Sequence, residues 1–236
     1  MRPAQTAGLS VVALAALQWL PAVTSIAPLR RAALPRLAGH GREDHVALTY
    51  DDGPHPVSTP LFLDLLQQHG QVATFFLLGA HVEENAALVR RMVDQGHELA
   101  VHGWDHRCLV ARRPGGLSAE LRRAVRVIED VAGCTPRWYR PPYGVMTLEG
   151  LWAARQAHLT TILWSSWGRD WTKAATSTSI HHLVMRQLTP GGTVLLHDTD
   201  RTSSPHSWQA TLAASASLLT AWDCAELTPG RLSDHW

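Results

Sequence analysis

The sequence predicts an α/β fold built on a parallel sheet, either open or closed into a barrel, and three observations predict it. Short apolar runs recur along the chain, amphipathic stretches of helical period separate them, and the runs repeatedly end in chemically active side chains. The first run, VALTY (46–50), is followed by VATFFLLG (72–79), HELAVH (97–102), RWYRPP (137–142), TTILWSS (160–166) and TVLLHD (193–198). Most are too apolar to be half exposed, as expected of strands covered on both faces. Between them PLFLDLLQQHG, ENAALVRRMVDQG, SAELRRAVRVIEDVAG, TLEGLWAARQA and SIHHLVMRQL carry helical spacing, and several close on glycine, a common helix stop. No internal repeat is evident.

The bulk numbers fit one globular unit with an extension. The chain has 236 residues, 45% hydrophobic and 17% charged, with a formal net charge of +1. That balance offers no basic surface for nucleic acid. Cys108, Cys134 and Cys224 are too few for a disulfide framework and lack C-x-x-C spacing, leaving one disulfide with a free thiol, or three thiols, open. Fourteen His and ten Trp are unusual, and only their placement can make them informative.

Residues 7–29, AGLSVVALAALQWLPAVTSIAPL, are uncharged and long enough to span a bilayer, so residues 1–29 read as a signal peptide or membrane anchor. No clean A-x-A cleavage site follows. Arg30, Arg31 and Arg36 follow the run instead, a flank that the positive-inside rule holds in the cytoplasm. The expected division is therefore 1–29 for export or anchoring, 30–44 as a basic linker, and 45–236 as the functional domain. The expected location is extracytoplasmic, secreted or anchored, with its orientation open.

The strand ends supply the chemistry. Asp51 and Asp52, His102, Arg140 with Tyr143, Asp170, and His197 each lie at or just after the C-terminal end of a predicted strand. That edge is where active sites assemble in barrels and open α/β sheets. Acids, histidines and an arginine delivered there by successive strands are hard to explain as packing. In VHGWDHR, one helical turn would put His102 and His106 on one face. Two imidazoles with one carboxylate suit a zinc ion that keeps a position open for water. One of the paired aspartates can complete that set, and the other can act as general base toward the bound water. His197 can then serve as general acid, and Arg140 can orient a carboxylate.

These motifs resemble those of the polysaccharide deacetylases of carbohydrate esterase family four, the NodB-homology domain. TYDDGP (49–54), HGWDH (102–106), RPPYG (140–144), GRDW (168–171) and LLH (195–197) follow the family's order, over about residues 45–200. The resemblance implies a distorted (β/α) barrel and a divalent metal, zinc or cobalt. It implies Asp51 as base, with Asp52, His102 and His106 as metal ligands. It further implies that the backbone N–H of Tyr143 meets the oxyanion, that Arg140 orients Asp51, and that Asp170 tunes His197, the acid. Trp171 and Leu195 would line an acetyl pocket. The implied substrate is an acetylated polysaccharide or oligosaccharide carrying N-acetylglucosamine, chitin-like or from peptidoglycan.

Two positions depart from the pattern. Gly103 stands where the family has Ser or Thr, so a hydroxyl bracing the second histidine is expected to be missing, and Gly103→Ser is expected to tighten metal binding or leave it unchanged. Trp167 replaces the first Asp of the fourth motif, implying a more apolar rim on which Trp104, Trp164 and Trp167 could stack sugars. An O-acetyl esterase acting on glycans such as xylan uses the same motifs. A membrane-anchored glycan-binding module without catalysis would be favoured by loss of Asp51 or His197, and both are present. No G-x-G-x-x-G follows the first strand, which sets a dinucleotide-binding domain aside. Oligomeric state has no signature in the sequence.

Overall fold

The computed structural model describes residues 18–112 and 115–236. Eight parallel strands form one sheet: β1 (His45–Asp51), β2 (Thr74–Leu77), β3 (Glu98–Val101), β4 (Trp138–Tyr139), β5 (Thr160–Thr161), β6 (Ser166–Trp167), β7 (Thr193–His197) and β8 (Thr228–Gly230). Their order is β5-β4-β3-β2-β1-β7-β6, and β8 pairs with the first half of β1. The end strands β5 and β6 are adjacent in sequence. Residues 162–165 join them, a link that reaches at most about 17 Å. The sheet must therefore curl until its edges nearly meet, and the expected distorted (β/α) barrel is present.

The gap explains why TTILWSS, expected as one strand, is two. Ile162 N–H donates to Tyr139 O at 2.9 Å and Ser165 N–H to Thr193 O at 3.1 Å, so the segment crosses from one edge to the other. Between them Leu163 N–H finds Leu37 O at 2.8 Å, a partner from before β1.

Alternation along β1 divides the core. Val46, Leu48 and Tyr50 join the large cluster beneath the helices, while Ala47 packs inside the curl with Phe76, Ala100, Trp138, Ile162 and Leu232. The covering helices are α1 (Ala27–Ala33), α2 (Thr59–Gln68), α3 (Ala86–Asp94), α4 (Leu117–Ala132), α5 (Leu148–Gln156), α6 (Ser177–Gln187) and α7 (Ser207–Cys224). Their ends follow local rules. Gly133 closes α4 at φ 69°, its N–H on Glu129 O at 2.8 Å, and Thr176 with Ser179 forms a capping box on α6. The helices α1 and α7 and the strand β8 were not among the expected elements. The helix α7 is rich in small residues and buries Ala214, Leu218, Leu219 and Trp222.

Residues 30–44, expected as a basic linker, pack against the barrel. Arg30 is buried, its Nη2 donating to Trp164 O at 2.9 Å, and Ala38 is buried too. Of the expected membrane segment, residues 1–17 lie outside the described residues. Leu20–Ser25 is a 3-10 helix, and no helix of the described residues is long and apolar enough to cross a membrane. All three cysteines are free thiols.

Three buried histidines make the fold acid-sensitive. His235 Nε2 faces Gly39 O at 3.1 Å, which can only accept, so its Nδ1 must accept the Nδ1–H of His45 at 2.8 Å. Both rings are then neutral. Burial, followed by the neighbouring His235, lowers His45 to about 4. His97 accepts from Ala73 N–H, and burial, with Arg91 and Arg231 nearby, lowers it to about 4 as well. Unfolded histidines protonate near 6.5, so the unfolded chain binds more protons between those values. Stability is therefore full above pH 6.5 and falls as pH drops toward 4, by roughly 3 kcal/mol for His97 alone. Urea midpoints in chelator should fall between pH 7 and pH 4.5, and an unchanged midpoint contradicts this account.

Candidate active site

Strand register assembles the site at the C-terminal edge of the sheet. Asp51, the last residue of β1, sits opposite Phe76 on one side and His197 on the other. Val101 pairs with Tyr139, which brings the residues that follow them, His102 and Arg140, to the same edge. There His102 Nδ1 donates to Arg140 O at 2.8 Å. The proton held on Nδ1 leaves the Nε2 lone pair free to bind.

The two adjacent aspartates are aimed differently because Asp52 adopts a left-handed backbone, φ 75°. Asp51 Oδ1 accepts from Arg140 Nη1 at 2.6 Å. Asp52 turns the other way, and its Oδ1 lies 3.3 Å from both His102 Nε2 and His106 Nε2. The helical turn expected to pair the histidines is absent. Residues 102–106 form a loop with Gly103 at φ 97° and His106 at φ 60°, pinned by Gly79 N–H on Gly103 O at 3.0 Å. The loop still brings the ring centroids to 5.2 Å.

This donor set fits a metal. Asp52 Oδ1 is fully buried and receives no hydrogen bond, a costly condition for a carboxylate oxygen unless a cation meets it. One ligand atom from each of Asp52, His102 and His106 falls within 4.8 Å of the others. Burial, then His102, lowers His106 to about 4 and keeps it neutral, as a ligand must be. The other oxygen, Asp52 Oδ2, accepts the hydroxyl of Thr202.

His197 stands opposite. Its Nδ1 lies 3.0 Å from Asp170 Oδ1, and its backbone N–H donates to Asp170 Oδ2 at 2.7 Å. Thr211 Oγ1 donates to the same Oδ2 at 3.1 Å. Burial opposes charge on the ring, but Asp170 outweighs it, helped by Asp52 and Asp51, and raises His197 to about 10. The ring is an imidazolium at neutral pH. Arg140, also fully buried, gives Nη1 to Thr49 Oγ1 at 2.8 Å and Nη2 to Leu163 O at 3.0 Å, and lies 3.9 Å from the centre of Phe76. These contacts fix both terminal nitrogens of Arg140, and through Nη1 the Oδ1 side of Asp51.

A cavity of about 180 Å³ joins these groups, reached by Asp51, His102, His106, Tyr143, Trp171, Leu195 and His197. Asp52, Arg140 and Asp170 stand behind it, each buried. The structure thus brings the residues expected at the site together around one cavity. Trp164, Trp167 and Trp171 form its apolar wall with ring centroids 5.7 and 4.9 Å apart, whereas Trp104 is not among its lining residues and stacks under Arg123 at 3.6 Å. Tyr143, 61% exposed, stands at the mouth against His106. Sequence reasoning missed Thr202 and Thr211, single hydroxyls with no motif around them, and gave no role to Thr49 inside TYDDGP. It also missed Asp198, a buried carboxyl that accepts from Thr59 and that burial raises to about 7.

The structure reverses the expectation for Gly103. A Cβ there would meet nothing closer than Pro142 at 3.7 Å, so space is available for serine. The backbone is the obstacle, because an L-residue at φ 97° is strained by roughly 1–2 kcal/mol. Gly103→Ser and Gly103→Ala should both weaken metal binding about tenfold by displacing His106. Calorimetric titration with zinc checks this, and tighter binding by the serine variant would restore the hydroxyl account.

Residues 38–162 match the family model described as polysaccharide deacetylase. The chain is 40% identical over 154 residues to a chitooligosaccharide deacetylase of Bradyrhizobium sp., covering 65% of this chain and 70% of that one. It is 35% identical over 159 residues to a peptidoglycan-N-acetylglucosamine deacetylase of Listeria monocytogenes, covering 67% of this chain but 33% of the relative. Among solved structures it resembles a peptidoglycan N-acetylglucosamine deacetylase in complex with 4-naphthalen-1-yl-N-oxidanyl-benzamide. That match has a TM-score of 0.77 at 27% identity, over 86% of this chain and 94% of the other.

Proposed function

The chain belongs to the polysaccharide deacetylase family, and from that premise we propose that it hydrolyses the acetamido group of N-acetylglucosamine units in a chitin-like or peptidoglycan glycan. The observation that carries this reading is the placement of an Arg-bound carboxylate, Asp51, and an Asp-bound imidazolium, His197, around one cavity beside the Asp52–His102–His106 set.

Asp52, His102 and His106 would hold a divalent cation, zinc or cobalt, which would supply Lewis-acid polarisation and activation of water. The rest falls to the protein. Asp51, aimed by its hydrogen bond from Arg140, accepts the proton of the attacking water. The backbone N–H of Tyr143, held on its left-handed turn at φ 60°, donates to the developing oxyanion. His197 passes its Nε2 proton to the departing amine, while Asp170 keeps its own partner on Nδ1. The acetyl methyl fits the apolar wall formed by Trp171 and Leu195. Water is consumed, and acetate and a free amine leave.

We also assign residues 1–29 to export or membrane attachment and residues 45–236 to catalysis, with residues 30–44 packed onto the catalytic part. The test is acetate release by zinc- or cobalt-loaded full-length protein. Chitooligosaccharides or peptidoglycan should yield acetate and new amines, and chelation should stop it. Release from acetylxylan alone would transfer the reading to an O-acetyl esterase, and no release from any glycan would reject catalysis.

A further inference from the structure

The three indoles of the cavity wall stand where an acyl chain must run. A tetrahedral acyl carbon points in four directions: to the attacking water, the oxyanion, the leaving amine and the acyl chain. Asp51, Tyr143 N–H and His197 serve the first three. Trp171 packs edge-on to His197, with ring centroids 5.7 Å apart. Trp164 lies against the turn that carries Tyr143, so closely that a Cβ on Gly144 would come within 2.5 Å of its ring. Trp167 sits between the two, 4.9 Å from Trp171 and 5.7 Å from Trp164. The indoles thus run from the leaving-group acid to the oxyanion donor, and Trp167 closes the remaining direction.

This wall is packed from behind, and the space before it is large. Leu163, Trp164 and Leu195 form a buried apolar cluster of their own, with Leu37 and Trp167 packed against it. It fills the seam where residues 162–165 cross from β5 to β6. The Arg30 guanidinium lies 5.0 Å from the centre of the Trp164 ring. An apolar cavity of about 150 Å³ takes a benzene molecule. This one, about 180 Å³, exceeds what the two carbons of an acetyl group need when the sugar stays at the mouth beside Tyr143. Trp167, half-buried, decides what fills the surplus. An Asp there, as in the motif from which the chain departs, would lose its hydration when an alkyl chain covered it. An indole has none to lose and is stabilised by each methylene it covers.

Resting on the amide hydrolysis described above, we propose that the site also removes N-acyl groups longer than acetyl, propionyl and butanoyl among them, from the same amino sugars, and that Trp167 sets this range. The bond changes are unaltered. The oxygen of water bonds to the acyl carbon and the C–N bond breaks. Asp51 takes the proton of the water, His197 gives one to the amine, and a short-chain carboxylate leaves in place of acetate.

Two series on the zinc-loaded full chain test this. In the first, chitooligosaccharides of one length carry N-acetyl, N-propionyl or N-butanoyl groups, and new amines are counted. The longer amides should match or exceed acetyl in kcat/KM. In the second, acetohydroxamic and butanohydroxamic acids, zinc ligands carrying the same acyl chains, are titrated calorimetrically. The longer chain should bind about tenfold tighter, as two buried methylenes imply. Trp167→Asp should cut the butanoyl-to-acetyl ratio about tenfold in both series. Trp167→Phe leaves the end of the pocket apolar but further back, and should shift the preference to hexanoyl, a readout that stands if Trp167→Asp does not fold. Cleavage of acetyl alone, with acetohydroxamate the tighter ligand, would overturn the proposal. So would Trp167→Asp with zinc retained and both ratios unchanged, or Trp167→Phe with no shift. If no amide is cleaved, deacetylation itself is rejected, and the hydroxamates still decide the pocket: equal or weaker binding of the longer chain overturns it.

Discussion

Asp51→Asn is expected to lower kcat by about 10²–10⁴-fold while the protein keeps one equivalent of zinc, the range that a general base ordinarily contributes. Asparagine preserves the size of the side chain and its acceptor toward Arg140, which Asp51 Oδ1 meets at 2.6 Å. It cannot take a proton from water. Arg140 is fully buried, so removing its counter-charge also costs stability, and the melting temperature should fall alongside the rate. Activity lost without unfolding at the assay temperature separates the two effects. Asp52→Asn should behave differently, since it replaces the anionic partner of His102 and His106 and weakens metal and rate together. Excess zinc should restore that variant in part and leave Asp51→Asn slow. Restoration of Asp51→Asn instead would invert the two roles, and near-native rates in both would reduce the pair to a turn.

The strands were legible where burial on both faces writes a continuous apolar run, as in VALTY and TVLLHD. Their C-terminal residues were legible as chemistry because packing does not call for acids and histidines there. The split of TTILWSS was not, since the break depends on Leu37 and Tyr139, residues remote in sequence that meet only once the sheet has curled. The spacing of His102 and His106 suggested a helical turn. Gly103 between them was the overlooked sign, for its φ of 97° sets a loop that pairs the rings by another route. Thr202 on Asp52 and Thr211 on Asp170 were invisible, because one hydroxyl far along the chain carries no pattern. The helix α7 hid behind its own composition. SWQATLAASASLLTAWDC is small and apolar nearly all round, so no stripe stands out, although it carries both Thr211 and the Ser215 that receives Tyr50 OH at 3.0 Å.

The second large effect is expected at Asp170. Its two oxygens do different things: Oδ2 accepts the backbone N–H of His197, and Oδ1 faces Nδ1 of the ring. In Asp170→Asn only one of those positions can be a carbonyl. The backbone N–H can only donate, so the amide oxygen must take its side, and the NH₂ group is left against Nδ1. Nδ1 then has to accept, which places the one remaining proton on Nε2 and makes the ring neutral. The charge that Asp170 supported is gone, and burial, no longer outweighed, favours that neutral form. A neutral imidazole is a far weaker acid, and kcat should fall about 10²–10⁴-fold on glycans whose leaving group is an amine. The direction with pH follows. Wild-type His197, raised to about 10, holds its proton across the neutral range, so the acid stays loaded. The variant ring loses that proton at lower pH, so the alkaline limb of its rate profile should move toward acid. An aryl ester of acetic acid, whose leaving group needs little protonation, should be hydrolysed with a much smaller defect. Equal losses on amide and ester, with an unmoved alkaline limb, would mean that Asp170 merely holds the loop in place.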